Sequence, residues 1–158
     1  MTRSNILDDF RDDLARRIAR SDRPPAPQPL PISPWLTMAL LQKAVRRGRA
    51  DLALRAGATL LVGAPDRIWR RCGGIAFEDV GIADPKVLGL VAVVLSGKRA
   101  RAELGGEWAV TSVVIAAMAN GNKCRAADDL LMSVELRPAL AAVRRGRLRL
   151  CGSAAYFP

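Results

Sequence analysis

An all-α fold is what this sequence predicts, and three observations predict it. Apolar residues recur at three- and four-residue spacings through most of the chain, the period of a helix with one buried face. Half of the 158 residues are apolar but only 4% are aromatic, so the core is built from Leu, Val, Ile and Ala. That palette suits helix-on-helix packing better than a sandwich of strands. The pairs Ser33-Pro34 and Asp84-Pro85 stand where helices begin, and no convincing strand alternation or strong internal repeat occurs. The length suits one compact helical bundle, with an appendage, and suffices for a sizeable core.

Residues 1–23 are expected to hold an amphipathic helix, from about 5 to 21. Ile6, Phe10, Leu14 and Ile18 share one face, with Asp8, Asp9, Asp12 and Asp13 early and Arg16, Arg17 and Arg20 late. That order suits the helix dipole and sets Asp12–Arg16 and Asp13–Arg17 pairs one turn apart. Residues 24–34 contain six of the ten prolines and read as an extended linker. The first helix is therefore tethered, and both the main body and a partner are open to it as docking places.

The main helical domain is expected over 35–146. A helix opens at Ser33-Pro34 and stops at Gly48. A second runs from about Ala50 to Val62 and should fold back on the first as a hairpin. A third spans Pro65 to Phe77, with Ile68, Cys72, Ile75 and Ala76 on one side and Arg67, Arg70 and Arg71 on the other. Glu78–Pro85 reads as a turn, followed by a helix over about 85–95. Gly97, Lys98, Arg99 and Arg101 read as a connection. Helices are then expected over about 103–119 and 123–134, and a short one from Pro138 to Gly146. Residues 147–158 form a tail without a clear period.

Several function classes are excluded or disfavoured. The chain has no histidine, so His-based acid–base catalysis, triads and His metal sites are absent from it. GxxxxGK[ST], GxGxxG and GxSxG patterns do not occur. Glu78-Asp79 lacks a third ligand type nearby, so a structural role is expected, one carboxylate capping the turn. Asp128-Asp129 reads as a solvated helix face. No catalytic residue, metal site or cofactor is assigned, and the chain reads as a non-enzyme. Cys72, Cys124 and Cys151 form no CxxC pair, which points to a reducing compartment. The amino terminus does not read as a signal peptide, and the longest uncharged runs are too short to span a bilayer. The expectation is a cytoplasmic protein with no membrane partner.

The charge points to anionic partners. Lys and Arg number 25 against 15 Asp and Glu, a net charge of +10, and 21 of the 25 are Arg. Four clusters carry it: Arg46/Arg47/Arg49, Arg67/Arg70/Arg71, Lys98/Arg99/Arg101 and Arg144/Arg145/Arg147/Arg149. Arg46, Arg47, Arg67, Arg70, Arg71, Arg144 and Arg145 are the candidate nucleic-acid-binding residues, placed to meet phosphates without reading bases. Trp69 sits among the second cluster in sequence and Trp35 opens the first body helix. Trp69 and Trp108 read as packing residues.

The run Glu78-Asp79-Val80-Gly81-Ile82-Ala83-Asp84-Pro85 resembles the S-E-D-[IV]-G-x-A-D-P motif of the RarA/MgsA family of AAA+ replication-maintenance proteins, which includes the Werner-helicase-interacting proteins. Only the serine departs, replaced by Phe77. The hairpin Met38–Gly48, Asp51–Leu54, the basic Arg67–Arg71 and a weaker echo at Asn122-Lys123-Cys124 are similar to the helical region that follows the ATPase in that family. The likeness covers roughly two-thirds of the chain, from Trp35 to about Leu131. It implies an all-helical oligomerisation module akin to a clamp-loader collar, with Glu78, Asp79, Gly81, Asp84 and Pro85 as its structural turn. It also implies a place in DNA replication, recombination or repair, and as partners a second copy, an AAA+ replication protein, or single-stranded or duplex DNA. The ATPase module itself has no counterpart here. The alternative is a small basic nucleic-acid-binding regulator.

Overall fold

A computed structural model of the chain describes residues 5–21 and 25–136. Eight α-helices and no strand occur among them: α1 Ile6–Arg20, α2 Pro34–Arg46, α3 Ala50–Gly63, α4 Pro65–Ile75, α5 Pro85–Leu95, α6 Lys98–Glu103, α7 Glu107–Asn120 and α8 Ala126–Leu136. The fold is all-α. The helix expected from Pro138, the tail, Cys151, Arg144 and Arg145 lie outside the described residues.

α2 starts where the sequence says it should. Ser33 accepts from Leu36 N–H through its hydroxyl at 3.3 Å, and Pro34 fills the first turn. It ends in a Schellman arrangement: Arg49 N–H reaches Ala44 O at 2.9 Å and Gly48 N–H reaches Val45 O at 3.1 Å, with Gly48 at φ +68. That tight turn folds α3 back along α2.

α7 is the centre of the body. Val110, Thr111, Val114, Ile115 and Met118 are wholly buried, and Ala109, Ser112 and Ala119 nearly so. A helix apolar on most of its surface must be surrounded. α1, α2, α3 and α5 pack around it. At Gly57 of α3 an added Cβ would overlap the Ile115 side chain, so the two backbones approach closely.

α1 docks on this body. Leu14 and Ile18 are buried and Phe10 partly so, packed against α5 and α7. The Phe10 ring occupies the place a Cβ on Gly89 of α5 would take. Arg11 pairs with Glu103 of α6, and Arg17 with Asp13 at 2.8 Å.

Three expectations are corrected. The Glu78–Pro85 turn is mostly helical: α4 passes through Gly73-Gly74 into a π-helical turn, Ala76–Val80, and a 3-10 turn, Gly81–Ala83. Lys98, Arg99 and Arg101 lie on a helix, α6, rather than on a bare connection. α7 begins at Glu107, later than expected. Gly105 at φ +108 and Gly106 at φ +92 separate it from α6, a backbone that a side chain would strain.

Candidate functional site

The acidic motif folds into a junction. Asp79 has no solvent exposure, and its Oδ1 accepts the Nε–H of Arg46 at 2.7 Å. Its Oδ2 accepts Gln42 Nε2 at 3.1 Å, and Arg125 approaches within 3.8 Å. The Asp79 carbonyl accepts Cys124 N–H at 2.9 Å. One residue thus ties α2 and the start of α8 to the π turn. Glu78, exposed beside it, accepts Gln42 Nε2 at 3.1 Å. The cap expected of Asp84-Pro85 is present: Asp84 accepts Val87 N–H at 3.1 Å and starts α5, with Pro85 in its first turn. Asp79 is a buried ion-pair partner and caps no helix. Gly81 is held at φ +54, and an added Cβ there would stand 2.9 Å from Cys124 O.

Lys123 closes the far side. Its ammonium donates to Ala119 O at 2.9 Å and to Gly121 O, complementing the C-terminus of α7. Desolvation pulls its pKa below the ordinary lysine value, while Asp79 and Asp84 pull it back up. Among the described residues no three His, Cys, Asp or Glu side chains gather as metal ligands.

The basic clusters are not equivalent. In the first, Arg46 is held by Asp79, and Arg49 makes a two-pronged pair with Asp51 at 3.2 and 3.1 Å, which raises its pKa. Only Arg47, exposed at the end of α2, has no carboxylate partner among the described residues. In the third cluster, Arg99 pairs with Glu103 at 3.1 Å. Arg101 pairs with Glu107 at 3.0 Å and donates to Val94 O at 2.8 Å. Asp128 is taken by Arg125.

The second cluster stays unneutralised. Arg67 and Arg70 are exposed and Arg71 half-buried, and none of the three meets a carboxylate among the described residues. Arg71 donates to the Gln42 side-chain carbonyl, the same Gln42 that donates to Glu78 and Asp79. The motif junction therefore orients one member of the basic cluster through a single glutamine. Spacing of three and four residues along α4 puts Arg67, Arg70 and Arg71 on one face.

Trp69 and Trp35 have different surroundings. Trp69, 6% exposed, donates its Nε1–H to Glu107 at 2.8 Å, and the Arg101 guanidinium lies 4.6 Å above its ring. It is a packing residue, as expected, although it sits among the arginines in sequence. Trp35 is 74% exposed. It lines an open concavity of about 370 Å³ together with Met38, Arg67, Arg70 and Arg71. Periodicity along α4 assigns Trp69 to the buried face, since it stands three residues before Cys72 and seven before Ala76. Nothing local in the sequence brings Trp35 to the arginines, because that meeting needs α2 laid beside α4.

No model of a known protein family and no curated protein matches this chain.

Proposed function

We propose that the chain is a non-catalytic helical interaction module of DNA replication, recombination or repair, and that it meets nucleic acid through Arg67, Arg70 and Arg71. The observation that carries this reading is the selective lack of neutralisation. Arg46, Arg49, Arg99 and Arg101 meet carboxylates, which leaves Arg47 and Lys98 as single charges, while no member of the α4 cluster meets one among the described residues and Arg67 and Arg70 are exposed. A protein of net charge +10 that leaves three neighbouring guanidinia without a carboxylate has the electrostatics of a phosphate-binding face. The resemblance of Glu78–Pro85 to the RarA/MgsA motif supplies the replication context.

A second reading, assembly with another copy or with an AAA+ partner, is favoured by the motif's own apolar residues. Phe77 is 62% exposed and Ile82 80% exposed, either side of buried Asp79 and Val80. Light scattering behind size exclusion, at low and high salt and with and without DNA, separates the two. A salt-resistant oligomer supports assembly. A monomer whose mass shifts only with DNA, and only at low salt, supports nucleic-acid contact. Charge reversal of Arg67 and Arg70 to Glu should abolish that shift, and an unaltered shift in the reversed variant counts against the assigned face.

A further inference from the structure

We infer that the Trp35 concavity is a stacking site for an unpaired base, so that the module takes single-stranded nucleic acid irrespective of base sequence. The inference rests on the phosphate-binding reading above and deepens it.

The argument begins with what a tryptophan on a surface lacks. Trp69 has its indole N–H on Glu107 and one ring face under Arg101. Trp35 has neither a hydrogen-bond acceptor nor a guanidinium over its ring among the described residues, and nearly three-quarters of its surface is open. It sits in the first turn of α2, next to the fixed Pro34 and the Ser33 cap, so its backbone is held firmly. An open aromatic face on a fixed backbone, beside cations that no carboxylate neutralises among the described residues, suits base stacking on a charged groove.

The form of the site selects the strand state. In a duplex the base faces are covered by their neighbours, and only edges and phosphates are offered. A concavity lined by Trp35, Met38, Arg67, Arg70 and Arg71 offers no side-chain amide or hydroxyl, and its guanidinia, the groups there able to meet a base edge, are the ones assigned to phosphates. The Gln42 amide, which holds Arg71, already serves Glu78 and Asp79 as well. A splayed nucleotide can lay its base on the indole and Met38 while flanking phosphates meet Arg67 and Arg70. Stacking is tolerant of base identity, because every base has a π face.

The test uses fluorescence anisotropy of the full chain at low salt with three labelled 15-mers: oligo-dT, an abasic strand of the same charge, and a blunt duplex. Oligo-dT should bind about 5- to 100-fold more tightly than the abasic strand. In Trp35→Ala that difference should vanish, whereas Trp35→Phe should keep part of it. Far-UV circular dichroism of each variant verifies the fold, which an exposed position should not disturb. Equal affinity for oligo-dT and the abasic strand, or a difference that survives Trp35→Ala, overturns stacking but leaves the phosphate-binding reading standing. Failure of all three oligonucleotides to bind overturns both. Competition by poly-glutamate as effective as by oligo-dT would reassign the concavity to an acidic protein segment.

Discussion

The Asp79 carboxylate, fully shielded from solvent, meets the Nε–H of Arg46 at 2.7 Å, while the Arg46 side chain keeps 37% of its surface exposed. The two partners therefore stand to lose different amounts when the other is removed. Arg46→Met leaves a buried carboxylate with only Gln42 and the more distant Arg125, and should cost about 3–5 kcal/mol. Asp79→Asn leaves a guanidinium that water can reach and a side chain that still accepts from Gln42. It should cost about 1–3 kcal/mol. Urea unfolding followed by circular dichroism checks the order; equal losses would show that the exposed Arg46 depends on the pair as much as the buried Asp79 does.

Gly81 invites a similar comparison. Its φ of +54 disfavours any L side chain, and its added Cβ would also crowd Cys124 O at 2.9 Å. Gly97, at φ +141, has nothing within 4 Å of an added Cβ. Gly81→Ala should therefore lose about 1–3 kcal/mol from conformation and further stability from the clash, because the obstacle is backbone. Gly97→Ala should lose only the conformational part. A Gly97→Ala loss as large as that of Gly81→Ala, by thermal unfolding, would remove the contact with Cys124 from the account.

These residues also mark how far the sequence could be read. Helix periods, the Ser33 and Asp84 caps and the Gly48 stop are local, so the fold class and most helices follow from spacing alone. α6 carries no apolar period in the sequence, because Lys98–Glu103 has no buried residue. The long helix expected from 103 was cut at Gly105-Gly106, where two positive φ values end the regular backbone. Glu78 and Asp79 are adjacent acids of the same chemistry. Which one is buried depends on the register of the π turn and on Arg46, thirty-three residues earlier. The meeting of Trp35 with Arg67, Arg70 and Arg71 is tertiary for the same reason. Composition could count the charges, but only the ion pairs tell which cluster is left over.

The docking of α1 can be probed through a steric swap. A Cβ at Gly89 would overlap the Phe10 ring, so Gly89→Ala should cost about 1–3 kcal/mol by overpacking and should speed hydrogen exchange of α1 amides. Leu14 and Ile18 remain buried, so the helix should loosen rather than leave. In a Phe10→Ala background the obstacle is gone, and Gly89→Ala should become neutral or gain up to about 1 kcal/mol of helix propensity. The pair is thus non-additive with a definite sign. Additive losses would mean that α1 shifts as a body and the ring contact does not position it.

Cys72 supplies a pH signature. It is fully buried in the core, and burial alone pushes its thiol pKa from 9.0 up to about 12. The folded-state pKa is raised, so the unfolded chain releases this proton first as pH climbs. Stability from this group is fully present below pH 9.0 and declines toward pH 12, by about 1.4 kcal/mol per pH unit within that window. Cys72→Ala should be less stable at pH 7 through its lost volume, yet should show a shallower decline above pH 9, so that the two unfolding curves converge. In a Cys124→Ser, Cys151→Ser background, a disulfide reagent at pH 8 should leave the Cys72 thiol unmodified until urea unfolds the chain. Rapid modification of Cys72 in the folded protein would mean that the face of α4 against the core opens on the time scale of the reaction.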